Sequence, residues 1–310
     1  MSDKSKGNLA LLFTAVVWGT GFIAQKLGNE VMPPMTFNAL RQLMAAIVLC
    51  PIMAISLKRS GYLSKEKNTI GQLDYKKHKM LKAFLVCGLF MTLGTMTQQI
   101  GLVTVSAGKS GFISALYIVF TPVFAVVIGN KVSFKTFGCI ALAMVGFGFL
   151  SLRGGLGNVT AGDWWTLLSA CGFAAQIVSV NAFVDRDNDI LISVLQMSFC
   201  GVFGLALAIA IEHPTLASAW ECMPILLYST FIPTAIGYTF QIIGQKFTDS
   251  TTAALLMSLE AVFAAIFGAI FLKEFMSGRE LLGCLLIFIA VILDQVDLPL
   301  GKGRGGEDVE

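Results

Sequence analysis

The sequence predicts an all-α polytopic membrane protein whose ten transmembrane helices form two inverted five-helix repeats. Three observations predict it: the composition, ten apolar runs of membrane length, and an internal match between the two halves. Of 310 residues, 55% are hydrophobic and only 13% charged, about half the roughly 25% charged share of a soluble domain. A chain so apolar dissolves mostly in lipid, so the bilayer is its first partner. The net charge of +3 is too small, and its cations too localised, to point to nucleic acid.

Crossing roughly 30 Å of hydrocarbon as a helix takes about 20 apolar residues. Ten runs meet that need: 8–28, 35–57, 83–103, 111–129, 134–152, 164–184, 190–211, 223–244, 251–272 and 279–296. The first follows lysines, as a signal peptide would, but has no clear small-residue cleavage site and reads as a retained span. Between the second and third spans, 58–82 carries eight Lys or Arg and reads as a basic loop. Placing that loop in the cytoplasm puts both termini there. It leaves sixteen Lys or Arg inside, five outside and Arg41 within the second span, the inside excess that orients inner-membrane proteins. The tail 298–310, ending GKGRGGEDVE, lacks apolar periodicity and is expected to be disordered.

The halves match each other in order. GTMTQQIG at 94–101 and GYTFQIIG at 237–244 share G-x-x-x-Q-x-I-G, PVFA at 122–125 aligns with AVFA at 261–264, and GC recurs at 138 and 283. Five spans per copy is an odd number, so the second copy enters the membrane upside down. Inverted repeats place solute sites near the midplane between the copies.

The residues WGTGFIAQK in the first span, SAGKSGFISALYIVFTPVF through the fourth and LLMSLEAVFAAIFGAIFLKE through the ninth resemble the EamA-type members of the drug/metabolite transporter superfamily. The resemblance implies one EamA repeat over 7–152 and a second over 162–297. It also implies an inner-membrane, ten-helix secondary carrier that exports small metabolites, often amino acids or related compounds. The family commonly has proline after the glutamate that corresponds to Glu260. Here Ala261 stands instead, so the residue that would break the ninth span is missing, while Pro122 is kept in the first repeat.

Helix positions three and four apart share a face. Polar or small stripes follow: Thr14, Trp18, Gly21 and Gln25 in the first span; Thr92, Thr95 and Gln98 or Gln99 in the third; Ser106, Ser110, Ser114, Tyr117 and Thr121 in the fourth; Ser169, Gly172, Gln176 and Ser179 in the sixth; Thr230, Thr234, Tyr238, Gln241 and Gln245 in the eighth. Stripes of serine, threonine and glycine are explained by close helix packing. Long amides and aromatic rings are larger than such packing wants, so Trp18, Gln25, Gln98, Tyr117, Gln176, Tyr238 and Gln241 are the expected lining of a wet solute pathway. Trp18 also suits a plain core anchor. Pro122, Pro233, Gly94 and Gly237 are candidate bends.

Glu260 sits mid-span, where a carboxylate must be paired, wetted or neutralised. It can pair with a cation such as Arg41, meet a substrate's ammonium group, or carry a coupling proton. Arg41, near the outer end of the second span, also suits snorkelling or contact with carbonyls. The position of the second copy that aligns with it is Gln196. No acid and base pair or activated nucleophile appears, and no C-x-x-C or H-x-x-x-H, so no enzyme, metal or cofactor is expected. Seven singly placed cysteines read as small core residues. The alternative to a solute carrier is a flippase for lipids or lipid precursors on the same scaffold, suggested by Lys26, Arg41 and Lys109 near the outer headgroups.

Overall fold

A computed structural model describes residues 2–64, 67–129, 133–151, 160–185, 187–271, 273 and 277–295. The tail expected to be disordered lies outside them. The described residues are helical, with no strand among them: α1 Asp3–Val31, α2 Pro34–Ser60, α3 Ile70–Gly101, α4 Ala107–Ser114, α5 Tyr117–Val127, α6 Phe134–Ser151, α7 Ala161–Phe183, α8 Asp189–Ile211, α9 Leu216–Glu221, α10 Met223–Ser229, α11 Gly237–Gln245, α12 Ser250–Met257, α13 Glu260–Phe271 and α14 Gly278–Gln295. A π-helical segment, Thr230–Ile236, joins α10 to α11.

Eight of the ten expected spans have the length and apolarity to cross a bilayer, counting α4 with α5, α10 with α11, and α12 with α13. The fifth and tenth correspond to α6 and α14, whose apolar stretches, Phe134–Gly146 and Leu281–Ala290, are shorter. These two helices pack on each other.

The basic stretch 58–82 is less of a loop than its charge suggests. α2 runs to Ser60 and ends on Gly61 in the left-handed conformation, φ 67°, which a side chain would resist. α3 begins at Ile70, behind a capping box in which Thr69 and Gln72 satisfy each other's backbone N–H groups. Its basic first turns are helix because the cap starts them early, well before the apolar run.

Two helix crossings are built the same way. α3 meets α7 where Gly101 lies on Gly162, a Cβ on either coming within 2.9 Å of the other's carbonyl oxygen, and where Gly172 lies on Gly94. α1 meets α11 where Gly7 lies on Gly244, with 3.0 Å for the same approach in both directions. Both crossings are antiparallel, since rising numbers on one helix meet falling numbers on the other. Only a residue without Cβ allows backbones this close.

The fourth and ninth spans are each interrupted once, after eight helical residues. The ninth breaks without proline. The Ser258 hydroxyl donates to the Leu255 carbonyl at 2.7 Å, and the Leu259 N–H turns to Leu256 instead, at 3.4 Å. Such back-bonding competes with the helix ladder. In the fourth span the break falls at Ala115–Leu116, while Pro122 sits within α5. Gly94 bends nothing; it lies inside unbroken α3 as a packing surface.

Candidate functional site

The breaks bring two residues to matching places. Tyr117 opens α5 and Glu260 opens α13, each the first helical residue past its interruption. The Tyr117 hydroxyl lies beside the Glu260 carboxylate but closes no hydrogen bond of ordinary geometry and has no other partner. Glu260 is buried, 4% exposed, and no cation stands within ion-pair distance of it among the described residues.

Both line a narrow chamber with Trp18, Phe22, Gln25, Arg41, Gln98, Phe173, Gln176, Ile177, Pro233 and Tyr238. Its cavity volume is only about 20 Å³. That is room for a water or two. A solute of metabolite size needs the walls to part.

The walls are tied from behind. The Trp18 indole N–H donates to the Pro233 carbonyl at 3.0 Å, and its ring packs on Tyr238 with centroids 4.9 Å apart, so Trp18 is both wall and cross-tie. The carbonyl it uses belongs to the π segment, where Pro233 removes a backbone donor and loosens the ladder. Gln98 donates to Ser114 at 2.9 Å. Gln176 stands in a chain of amides, accepting from Gln241 at 3.0 Å and donating to Gln196 at 2.8 Å.

Arg41 is 2% exposed and held only by neutral oxygens. Nε and Nη2 donate to Asn38 Oδ1 at 3.1 and 2.9 Å, Nη2 also to Gln25 Oε1 at 3.2 Å, and Nη1 to Thr234 Oγ1 at 3.3 Å. The Arg41–Glu260 ion pair, one of the three readings open for Glu260, is not formed in this structure. Arg41 does not snorkel either, because Asn38, one turn earlier on α2, holds the guanidinium inward. In the second copy Gln196 pairs with Gln176 of α7 as Arg41 pairs with Gln25 of α1.

The structure thus gathers Trp18, Gln25, Gln98, Tyr117, Gln176, Tyr238, Glu260 and Arg41 around one space. Gln241 is the exception: it is buried behind Gln176 and does not reach the lining. Phe22, Phe173, Ile177 and Pro233 join the lining without having been singled out for it. Phe22 carried a signal, lying one turn after Trp18 on the same face. Phe173 and Ile177 carried none, since an apolar side chain looks the same whether it faces lipid or a chamber.

Lys26 and Lys109, which the sequence places near the outer headgroups, are bonded within the protein. Lys26 caps the end of α3, donating to the carbonyls of Leu102, Val103 and Val105 at 2.8, 3.3 and 3.1 Å. Lys109 pairs with Asp163 at 2.8 Å. Among the described residues no group of His, Cys, Asp and Glu is arranged to hold a metal, and Cys50, Cys87, Cys171, Cys200 and Cys222 form no disulfide.

Long apolar helices around a buried polar chamber, with a carboxylate and a guanidinium on its walls, define a multi-pass membrane protein. The profile of the EamA-like transporter family matches the chain twice, over residues 5–152 and 160–293, so the domain is present in two copies and the chain belongs to that family of the drug/metabolite transporter superfamily. It is similar to an uncharacterized transporter of Archaeoglobus fulgidus, 28% identical over 92% of this chain and 84% of that protein. It is also similar to the uncharacterized transporter YoaV of Bacillus subtilis, 23% identical over 92% and 95%. A solved crystal structure with 16% identity superposes over 94% of this chain and 96% of its own, with a TM-score of 0.71, and so shares the fold.

Proposed function

We propose that the chain is a secondary active transporter of the inner membrane that exports small metabolites, such as amino acids or related compounds, by alternating access. The observation that carries this reading is the chamber itself, a space within the bundle lined by amides and aromatic rings and holding a buried carboxylate with no cation at ion-pair distance among the described residues. A membrane protein keeps such a group where it does work. Its small free volume fits a state closed on both sides, which must open to admit a solute.

The reading includes ten spans in two inverted sets of five, with both termini cytoplasmic. Side-chain contacts support the inversion. The carboxyl ends of α1 and α3 meet, through Asn29 and Gln99, so these helices run the same way. α3 runs against α7, so α7 opposes α1. An analogous contact recurs in the second copy at a shifted register: Gln99 donates to Asn29 Oδ1 and to the carbonyl of Gln25, four residues earlier, while Gln245 donates to Asn181 Oδ1 and to the carbonyl of Ile177, again four residues earlier. α6 and α14 pair on each other and complete ten crossings, and the excess of Lys and Arg on the side of 58–82 orients them.

Glu260 is the proposed proton carrier. One proton moving down about 100 mV releases about 2.3 kcal/mol, enough to hold a neutral solute at roughly 50-fold accumulation. The flippase alternative loses its support because the three cations that suggested it are engaged: Lys26 on carbonyls, Lys109 on Asp163 and Arg41 within the bundle.

Two measurements test the proposal. Cysteines placed singly at Gln98, Tyr117, Gln176 and Tyr238 should react with water-soluble thiol reagents in at least one state; protection in every state sinks the carrier reading. In vesicles, Glu260→Gln should lose proton-driven accumulation but keep solute exchange. Undiminished accumulation removes the coupling role.

A further inference from the structure

We infer that Arg41 is the recognition residue for a carboxylate group on the transported solute. The inference rests on the carrier reading and deepens it by naming the charge that the chamber selects.

A guanidinium has five N–H donors and stays charged in proteins. Arg41 makes four contacts, all to an amide or hydroxyl oxygen, and one Nη1 N–H is left over. The nearest things to a counter-charge are dipoles. A buried cation without an anion is costly, by several kcal/mol after relaxation, and the residues around it are arranged to hold it still rather than to neutralise it. Asn38 grips two of its nitrogens, while Asn38 Nδ2 is itself fixed on Thr95 Oγ1 at 3.1 Å. Gln25 and Thr234 come from other elements of the same wall. Glu260 lies on the lining of this chamber yet forms no ion pair with Arg41. Among the described residues no anion pairs with Arg41, and the chamber gives one a place to enter.

The chemistry of the site narrows what enters. A guanidinium matches a planar carboxylate better than a compact ammonium would. Beside its glutamines and Glu260, the lining includes the rings of Trp18, Phe22, Tyr117, Phe173 and Tyr238, which suit an apolar or flat body attached to that carboxylate. An inorganic anion such as chloride could supply the same charge, so the test must separate the two sources.

The probes are two series, built on leucine and on phenylalanine: each amino acid, its decarboxylated amine (3-methylbutylamine, 2-phenylethylamine) and its deaminated acid (4-methylpentanoate, 3-phenylpropionate). Thermal melting of the purified protein in detergent is followed with each. The carboxylate-bearing members should raise the melting temperature and the amines should not. Asn38→Asp, which supplies the missing counter-charge from inside the bundle, should melt no lower than the native protein and bind the carboxylates at least tenfold more weakly. Arg41→Lys should weaken them similarly where it folds; Asn38→Asp decides the matter where it does not. Amines that stabilise as well as the acids, no stabilisation by any carboxylate at 10 mM, or undiminished binding in Asn38→Asp would overturn the assignment. A shift that follows chloride and is insensitive to carboxylates would also overturn it, leaving an inorganic counter-ion. If chamber cysteines react with thiol reagents while the carboxylates fail, only the role of Arg41 falls; if those cysteines are protected in every state, the carrier reading falls with it.

Discussion

At the scale of single residues, the amides show what burial in a membrane demands. A polar group without a partner there costs more than the bond itself is worth, and Gln176 meets this by accepting from one glutamine and donating to another. Removing the middle of the chain strands both neighbours, because among the described residues Gln241 Nε2 and Gln196 Oε1 each have Gln176 as their only partner. Gln176→Leu should therefore lower stability by about 1–3 kcal/mol, read as a drop in melting temperature, and Gln241→Leu, at the end of the chain, by less. Equal losses would mean that the chain does not act as drawn. The stripes made Gln98, Gln176 and Tyr238 legible, since large polar side chains at helical spacing must face something other than lipid. They could not show that Gln176 stands in front of Gln241, because which of two inward-facing amides reaches the open space depends on how the helices cross.

Helix crossings and interruptions hold the chamber in shape. Gly172 is the sharpest case: a Cβ there would meet the Gly94 backbone nitrogen at 2.5 Å, and backbone cannot step aside as a side chain can. Gly172→Ala should force α3 and α7 apart and cost about 1–3 kcal/mol. Gly138→Ala on α6, where nothing lies within 4 Å, should be neutral or slightly stabilising. The measurement is paired thermal melting, and similar melting of the two variants would remove the crossing from the account. The repeated G-x-x-x-Q-x-I-G string already pointed to equivalent elements. Its last glycines, Gly101 and Gly244, are the ones that touch Gly162 and Gly7. The break before Glu260 was harder to foresee: without proline at 261 the sequence offered only Ser258, and a serine interrupts a helix or leaves it intact according to where its hydroxyl turns. Ser258→Ala should return the Leu255 carbonyl to the ladder and reduce solute exchange several-fold while raising stability slightly. A transporter unchanged in rate would show the interruption to be incidental.

Over the whole molecule, the two copies are fastened to each other at both ends, as the proposed alternating access would require of a state closed on both sides. At one end Lys109 at the start of the fourth span pairs with Asp163 at the start of α7, 2.8 Å, and the carboxylate of Glu212, just past α8, accepts from the first N–H groups of α2, those of Met35 and Thr36, at 2.8 Å each. At the other end Lys79 of α3 pairs with Asp185, just past α7, at 2.7 Å. Under the proposed orientation the first set faces outward and the second faces the cytoplasm. Exposed ion pairs are worth little in isolation, typically below about 1 kcal/mol, but a two-state equilibrium poised near balance shifts several-fold for that amount. Lys109→Ala should thus raise labelling of a cysteine at Tyr238 from the outer face, and Lys79→Ala should raise it from the inner face, each by a few-fold. Lysines are the better targets, because Asp163 also accepts from Thr160 to start α7 and its loss would fray that helix. Opposite shifts from the two variants would make these pairs the gates of alternating access; shifts in the same direction would mean that they only stabilise the bundle.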